Sequence, residues 1–158
     1  MPSLMPGTPG AKEAYGICTI NMDFTVTIPP KAINRYELTD NDFVIVTTAR
    51  RGESGFALIG RKKAEGSIFK KYMKQIKESD VIKWFNKRAY IRIQMKNRQI
   101  RLNKESLEAF KLKIGDQLIA VKATTVSLSF SPVEIWKQKL AKHGFIEAIK
   151  NIDNLEFF

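Results

Sequence analysis

The stretch TVTIPPKAINRYELTDNDFVIV (residues 25–46) reads position for position like QIRLNKESLEAFKLKIGDQLIA (residues 99–120), at a constant offset of 74. The apolar pattern superposes without a gap. Val26 meets Ile100, Ile28 meets Leu102, Ile33 meets Leu107 and Tyr36 meets Phe110. Leu38 then meets Leu112, Asp42 meets Asp116, Val44 meets Leu118 and Ile45 meets Ile119. Eight matches in register, with one identical aspartate and an aromatic pair, point to one unit used twice. The competing reading, two unrelated strand–helix–strand segments, needs all of them to be coincidence.

Each copy carries the same local grammar. An alternating strand precedes it, Ile17 to Met22 in the first copy and Tyr90 to Met95 in the second. The period of two puts Ile91, Ile93 and Met95 on one face, with Arg92 and Gln94 on the other. Asp23-Phe24 and Asn97-Arg98 are placed at turns, and short strands follow at Thr25 to Ile28 and Gln99 to Leu102. A short helix comes next, opened in the first copy by Pro29-Pro30. In the second, Asn103 is the expected N-cap, with Ser106 expected on the exposed face. Turns at residues 39–42 and 113–116 lead into strands Phe43 to Thr48 and Gln117 to Thr124, then Phe56 to Ile59 and Val126 to Phe130.

A helix is expected to close each copy. Ser67 would cap one whose apolar stripe is Ile68, Phe69, Tyr72, Met73 and Ile76, with Lys70, Lys74 and Lys77 opposite. Ser131-Pro132-Val133-Glu134 reads as a capping box before a helix that turns Val133, Trp136 and Leu140 inward. The fold class is thus mainly β with short helices (α+β): two tandem units forming one pseudo-symmetric barrel, plus closing helices. The chain divides into a flexible arm (1–13), a first unit (14–63), a basic linker helix region (64–87), a second unit (88–130) and C-terminal helices (131–158).

The 158 residues include 27 Lys and Arg against 16 Asp and Glu, a formal net charge of +11. Hydrophobic residues make up 44%, enough for a core, so global disorder is excluded. No apolar run approaches the roughly 18 residues that span a bilayer. The single cysteine, Cys18, excludes an internal disulfide, and with the single histidine, His143, it leaves zinc ligand sets and His-based triads without parts. No Gly-rich phosphate loop or framed carboxylate pair is present, and Gly52-Glu53-Ser54-Gly55 lacks nucleophile-elbow spacing. A non-enzymatic, cofactor-free, cytoplasmic protein is expected. The charge is not spread evenly: residues 61–113 hold 17 basic and five acidic side chains, whereas residues 1–60 hold five and six. That describes a patch.

A strand–turn–strand ending in Ile28-Pro29, a short helix with Ile33 and Tyr36, then Leu38 and Asp42, resembles the AbrB/SpoVT-like swapped-hairpin superfamily. The second copy carries the resemblance on Leu102, Leu107, Phe110, Leu112, Gly115 and Asp116. Two copies in one chain, the later followed by Val133-Glu134-Ile135-Trp136, resemble its MraZ branch. The resemblance covers about residues 14–60 and 88–144, and it implies a pseudo-dimeric barrel and DNA binding by a transcriptional regulator. DNA-binding members carry Gly-Arg before the second strand and arginines along the short helix. Here those turn positions read Phe24-Thr25 and Arg98-Gln99, and the helix positions Ile33-Asn34 and Leu107-Glu108, so Arg98 alone offers a comparable charge.

Around the second copy's first hairpin lie Arg88, Arg92, Gln94, Lys96, Arg98, Arg101 and Lys104, the expected nucleic-acid contacts. A two-stranded ribbon with cations on its outer face can enter the major groove or track phosphates. Phosphate contact supplies salt-dependent affinity, and Arg92, Gln94 or Arg98 would supply base preference. A solvated outer strand face is the competing reading. Arg50, Arg51, Arg61, Lys62 and Lys63 are secondary phosphate contacts or solubilising loop residues. The expected partner is DNA, with RNA not excluded and no membrane, in a homo-oligomer bound to the nucleoid. The alternative is an antitoxin-like or scaffold module whose basic face docks an acidic protein.

Overall fold

Alternation of apolar and polar side chains builds the strands, and proline, asparagine and glycine punctuate them. The structure, a computed structural model, describes residues 14–49, 52–142, 144, 152 and 154–158. The elements run β1 (Ala14–Thr19), β2 (Thr25–Thr27), α1 (Pro30–Arg35), β3 (Phe43–Thr48), β4 (Phe56–Gly60), α2 (Arg61–Glu65) and α3 (Lys70–Gln75). They continue with β5 (Ile82–Phe85), β6 (Arg88–Gln94), β7 (Gln99–Arg101), α4 (Lys104–Ala109), β8 (Gln117–Lys122), β9 (Leu128–Pro132) and α5 (Val133–Lys142). Among the described residues the fold is mainly β with five short helices, an α+β arrangement.

Seven strands form one antiparallel sheet in the order β1-β8-β9-β4-β3-β6-β5, and β2 with β7 makes a separate two-stranded ribbon. The ribbon's central pair is Val26 with Ile100, both fully buried. Around it the core gathers Ile20, Ile28, Tyr36, Met95, Leu102, Phe110 and Leu118. Phe56 stacks on Phe130 across the β4–β9 pair, ring centroids 4.8 Å apart. Two smaller clusters lie outside this core. Trp136 and Leu140 of α5 join Ile17 and Ile119 in one, while Ile45 and Tyr90 of the sheet join Ile76 just past α3 in the other. Cys18 is a small core side chain, and burial pushes its thiol up to about 12.

The expected single barrel does not form: the seven-stranded sheet keeps two ends, β1 and β5. The outer edge of β1 is covered by the segment Glu156–Phe158. Ile17 N–H donates to the Glu156 carbonyl and Phe158 N–H to the Ile17 carbonyl, each at 2.8 Å. Gly16 makes room for this, because a Cβ there would overlap the Phe158 ring. At the far end β5 occupies the outer side of β6. The outer side of β1 is thus taken by the Glu156–Phe158 segment and that of β6 by β5, so β1 and β6 do not meet to close a barrel.

Two local expectations are corrected as well. Asn103 caps α4, but Ser106 is fully buried, since its hydroxyl completes the capping box by accepting the Asn103 N–H at 2.8 Å. The linker is also not one helix. It holds α2, α3 and then β5, with Gly66 ending α2 and Ser67 bridging Ala64 O and Phe69 N. Ile68, expected inside, is 79% exposed. The arm (1–13), His143 and most of the expected tail helix lie outside the described residues. Among the described residues, no helix is long and apolar enough to cross a membrane.

Gly16→Val should expel the Phe158 ring and free the two backbone bonds to Ile17. At about 0.5–1.5 kcal/mol per bond, native-state hydrogen exchange should show the Ile17 and Phe158 amides losing protection by about ten- to a hundredfold. Unchanged protection would mean the segment holds the edge by some other contact.

Candidate nucleic-acid interface

The second hairpin is shaped by its turn. Asn97 and Arg98 take φ values of 51° and 61° between the bridged pair Lys96 and Gln99, the left-handed geometry a two-residue hairpin turn demands. Asparagine tolerates it readily; arginine is held there from outside, its N–H donating to Asp40 Oδ1 at 2.8 Å. The base of the hairpin is tied to the same loop. Asn41 N–H donates to the Met95 carbonyl and Met95 N–H to the Asp42 carbonyl, both at 2.8 Å, while Gln94 Nε2 reaches the Asn41 carbonyl at 3.0 Å. The loop 39–42 thus fixes the tip, and the Arg98 residue is exposed there.

On β7 the alternation is strict. Ile100 enters the core, so Gln99 and Arg101 take the other face, opposite Thr27 and Thr25 of β2. Gln99 Nε2 donates to Thr27 Oγ1 at 2.9 Å. Arg101 stands 4.0 Å from Asp23, with both side chains mostly exposed. The Thr25 hydroxyl donates to Asp23 at 2.6 Å and, with the Thr25 N–H and the Arg101 charge, holds that carboxyl below its ordinary range. A groove of about 650 Å³ opens beside the ribbon, lined among others by Asp23, Gln94, Lys96, Gln99, Arg101 and Asn103. Lys104 follows Asn103 as the exposed first residue of α4.

The structure therefore brings Gln94, Lys96 and Arg101 to one groove, with Arg98 at the neighbouring tip. Arg92 is elsewhere: its guanidinium lies 3.7 Å from the centroid of the Phe43 ring, and its Nε is buried with no hydrogen-bond partner among the described residues. Arg88 donates to the Thr48 carbonyl at 2.8 Å. It sits at the opposite end of β6, roughly 20 Å from Gln94 at strand rise.

Of the secondary residues, Arg61 is committed to Asp42 at 2.8 Å and to Glu65 at 3.0 Å, and Lys63 lies 3.5 Å from Glu37. Lys62 is exposed. Arg50 and Arg51 lie outside the described residues. Sequence reasoning missed Asp23 and Asn103 as lining groups, although the alternation of Gln99 and Arg101 around Ile100 already marked the face.

No protein-family model matches the chain, and no curated protein matches it. The solution structure of PHS018 from Pyrococcus horikoshii is similar at a TM-score of 0.36 and 10% identity, over 76% of this chain and 92% of that one.

Burial alone would raise the Asp42 carboxyl. The Arg61 hydrogen bond and the Phe43 N–H at 2.8 Å outweigh it and hold the group below its ordinary 3.8. A carboxyl lowered by folding stabilises the fold above its ordinary pKa, and that contribution is lost as pH falls through the folded value. In urea titrations, the midpoint should therefore decline from about pH 4 downward. Asp42→Asn should lower the neutral-pH midpoint and flatten the decline; parallel curves for the two proteins would contradict this.

Proposed function

We propose that the chain is two copies of one swapped-hairpin-like unit, related to the AbrB/SpoVT-like superfamily in the tandem manner of MraZ. We further propose that it binds nucleic acid, as a DNA-contacting transcriptional regulator, through the hairpin of the second copy. The pairing pattern supports the duplicated reading. Exchange β1 with β6, β2 with β7, β3 with β8 and β4 with β9. The β1–β8 pair then becomes β6–β3, the β3–β4 pair becomes β8–β9, and β2–β7 and β4–β9 each return to themselves. Val26 opposite Ile100 and Ala57 opposite Ser129 are the pairs that such an exchange leaves in place.

One observation carries the functional reading: the convergence of Lys96, Arg101 and Gln94 on a groove whose other walls offer amides, from Asn97, Gln99 and Asn103, beside the carboxylates of Asp23 and Asp80. With the described residues, Lys96, Arg98 and Lys104 form no ion pair, so their charge is available to phosphates. Arg101 faces one exposed carboxylate at 4.0 Å, a contact that a phosphate can replace. Asn97 at the turn, and the amide oxygens of Gln94 and Gln99 whose Nε2 groups hold Asn41 and Thr27, give the site donors and acceptors for base edges. The matching tip of the first copy reads Asn21-Met22-Asp23-Phe24 and holds no cation, so each chain would offer one binding hairpin. Arg88 and Arg92, spent on Thr48 and Phe43, leave the contact set at Gln94, Lys96, Arg98, Arg101 and Lys104.

Four cations on phosphates predict a slope near −3.6 for log K against log salt on duplex DNA, from about −0.9 per contact. Fluorescence anisotropy with a labelled mixed-sequence duplex, titrated from about 50 to 200 mM salt, reads it. Arg98→Glu with Arg101→Glu should abolish binding, while Arg88→Gln should leave the slope within error. No detectable association at the lowest salt, with either DNA or RNA of the same sequence, would sink the reading.

A further inference from the structure

One end of the sheet is closed by the chain itself and the other is open. The closed end is β1, where Glu156-Phe157-Phe158 lies alongside as an extended segment and bonds to both the N–H and the carbonyl of Ile17. The open end is β5. Its turn to β6, Asn86-Lys87, has φ values of 50° and 67° and leaves Phe85 opposite Arg88 as the flanking pair. In a two-residue hairpin that pair exchanges hydrogen bonds, and bonded pairs alternate with unbonded ones. Phe85 and Lys83 thus turn their backbone groups toward β6. Ile82 and Trp84 turn theirs away from the sheet, where no backbone hydrogen bond reaches them from any described residue.

The side chains along this edge sort by face. Trp84 pairs with Ala89 and Ile82 with Ile91, so both lie on the core side of the sheet. Trp84 overhangs that core and remains 60% exposed, with Val81 beside it at 37%. Lys83 pairs with Tyr90 on the opposite face and is exposed, as are Lys87 and Arg88 at the turn. Lys83 and Lys87, with Arg88, are the charges on the edge and its turn, and Glu78 and Asp80 precede it in sequence.

We propose that β5 is a docking edge for an extended acidic segment of a partner protein, which adds to the sheet as a further strand. The outward backbone groups of Ile82 and Trp84 supply the main-chain bonds. A period of two then fixes what the segment carries: apolar residues on the side of Trp84, carboxylates on the side of Lys83, and a further acid within reach of Lys87. A second copy of this chain fits poorly. Pairing β5 with its own copy would crowd like charges that natural edge strands use to prevent that association. Nucleic acid would use the cations but not the unpaired backbone edge. The proposal goes beyond the groove at the second hairpin: β5 pairs with Arg88 to Ile91 of β6, whereas that groove is lined by Gln94 and by Ser79 and Asp80 just before β5, so the two are neighbouring surfaces that the variants below separate.

The probe is a synthetic eight-residue peptide of alternating Glu and Val, titrated into the full chain and followed by amide shifts and tryptophan emission. Saturable shifts at the Ile82 and Trp84 amides, with a blue shift of Trp84 emission, are expected. Trp84→Ala should weaken binding by about thirtyfold or more, as a buried aromatic anchor does, and Lys83→Glu should weaken it measurably. The same peptide N-methylated on alternate amides should fail to bind. The variant Arg98→Glu with Arg101→Glu should still bind peptide, which separates this edge from the DNA groove. The proposal is overturned if the Ile82 and Trp84 amides do not move at millimolar peptide, or if the N-methylated peptide binds equally well. It is also overturned if the chain self-associates through β5 in sedimentation, or if an oligonucleotide moves the same amides in the peptide's place. Circular dichroism of Trp84→Ala checks folding; because that side chain is mostly exposed, the variant is expected to fold.

Discussion

The pairing of Val26 with Ile100 is the contact on which the rest of the structure depends. Both side chains are fully buried, and the ribbon they centre is only three residues long on each strand. So short a ribbon has little stability of its own. It holds because each strand is flanked by longer ones that pair with the other half of the sequence: β1 with β8, and β3 with β6. Residues far apart in sequence are thereby committed to one core. The first half has no partner of its own for β1, and each half lacks the other strand of the ribbon, so neither is expected to be stable alone.

That interlocking explains which features were legible in the sequence. The eight positions matched at constant offset are, with few exceptions, the core: Val26, Ile28, Tyr36, Leu38 and Val44 in one half, and Ile100, Leu102, Leu107, Phe110, Leu112 and Leu118 in the other. Ile33 is packed only at the margin and Asp42 is spent on Arg61. Periodicity marks these because burial on one face imposes it. Strand β5 was not legible, for the converse reason. An edge strand with one paired side and an overhanging tryptophan shows no clean alternation, and it falls within the segment 64–87 that reads as a basic linker helix region.

The site was legible by segment and only partly by residue. Alternation placed Arg92 and Gln94 together on the outer face of β6, and both do point there. Their fates differ because of a neighbour from another strand: the Phe43 ring of β3 takes the guanidinium of Arg92, its diagonal neighbour, while Gln94, directly opposite Phe43, bonds the loop at Asn41. Ser106 was misplaced for a similar reason. A hydroxyl at the third helical position can turn back to its cap, and once both cap bonds are satisfied it can be buried without cost in unmade hydrogen bonds. Local pattern fixes the face; contacts across the sheet decide which outward side chains stay free.

On the proposed duplicated reading, a near-symmetric scaffold carries an asymmetric charge, and the ribbon makes the contrast sharpest. Its outer face sets Thr25 against Arg101 and Thr27 against Gln99, hydroxyls from the first half against a guanidinium and an amide from the second. The first half also contributes Asp23, whose carboxylate is stabilised by Thr25 and faces Arg101. Placing an acid there orients Arg101 without neutralising it strongly, since an exposed pair at 4.0 Å is weak and readily exchanged. Lys96 and Arg98 form no side-chain ion pair among the described residues; the carboxylate beside Arg98, Asp40, holds its backbone N–H. The half that supplies Thr25 and Asp23 therefore holds the platform in position, while the other half presents the charge, a division that a single unsplit unit could not make.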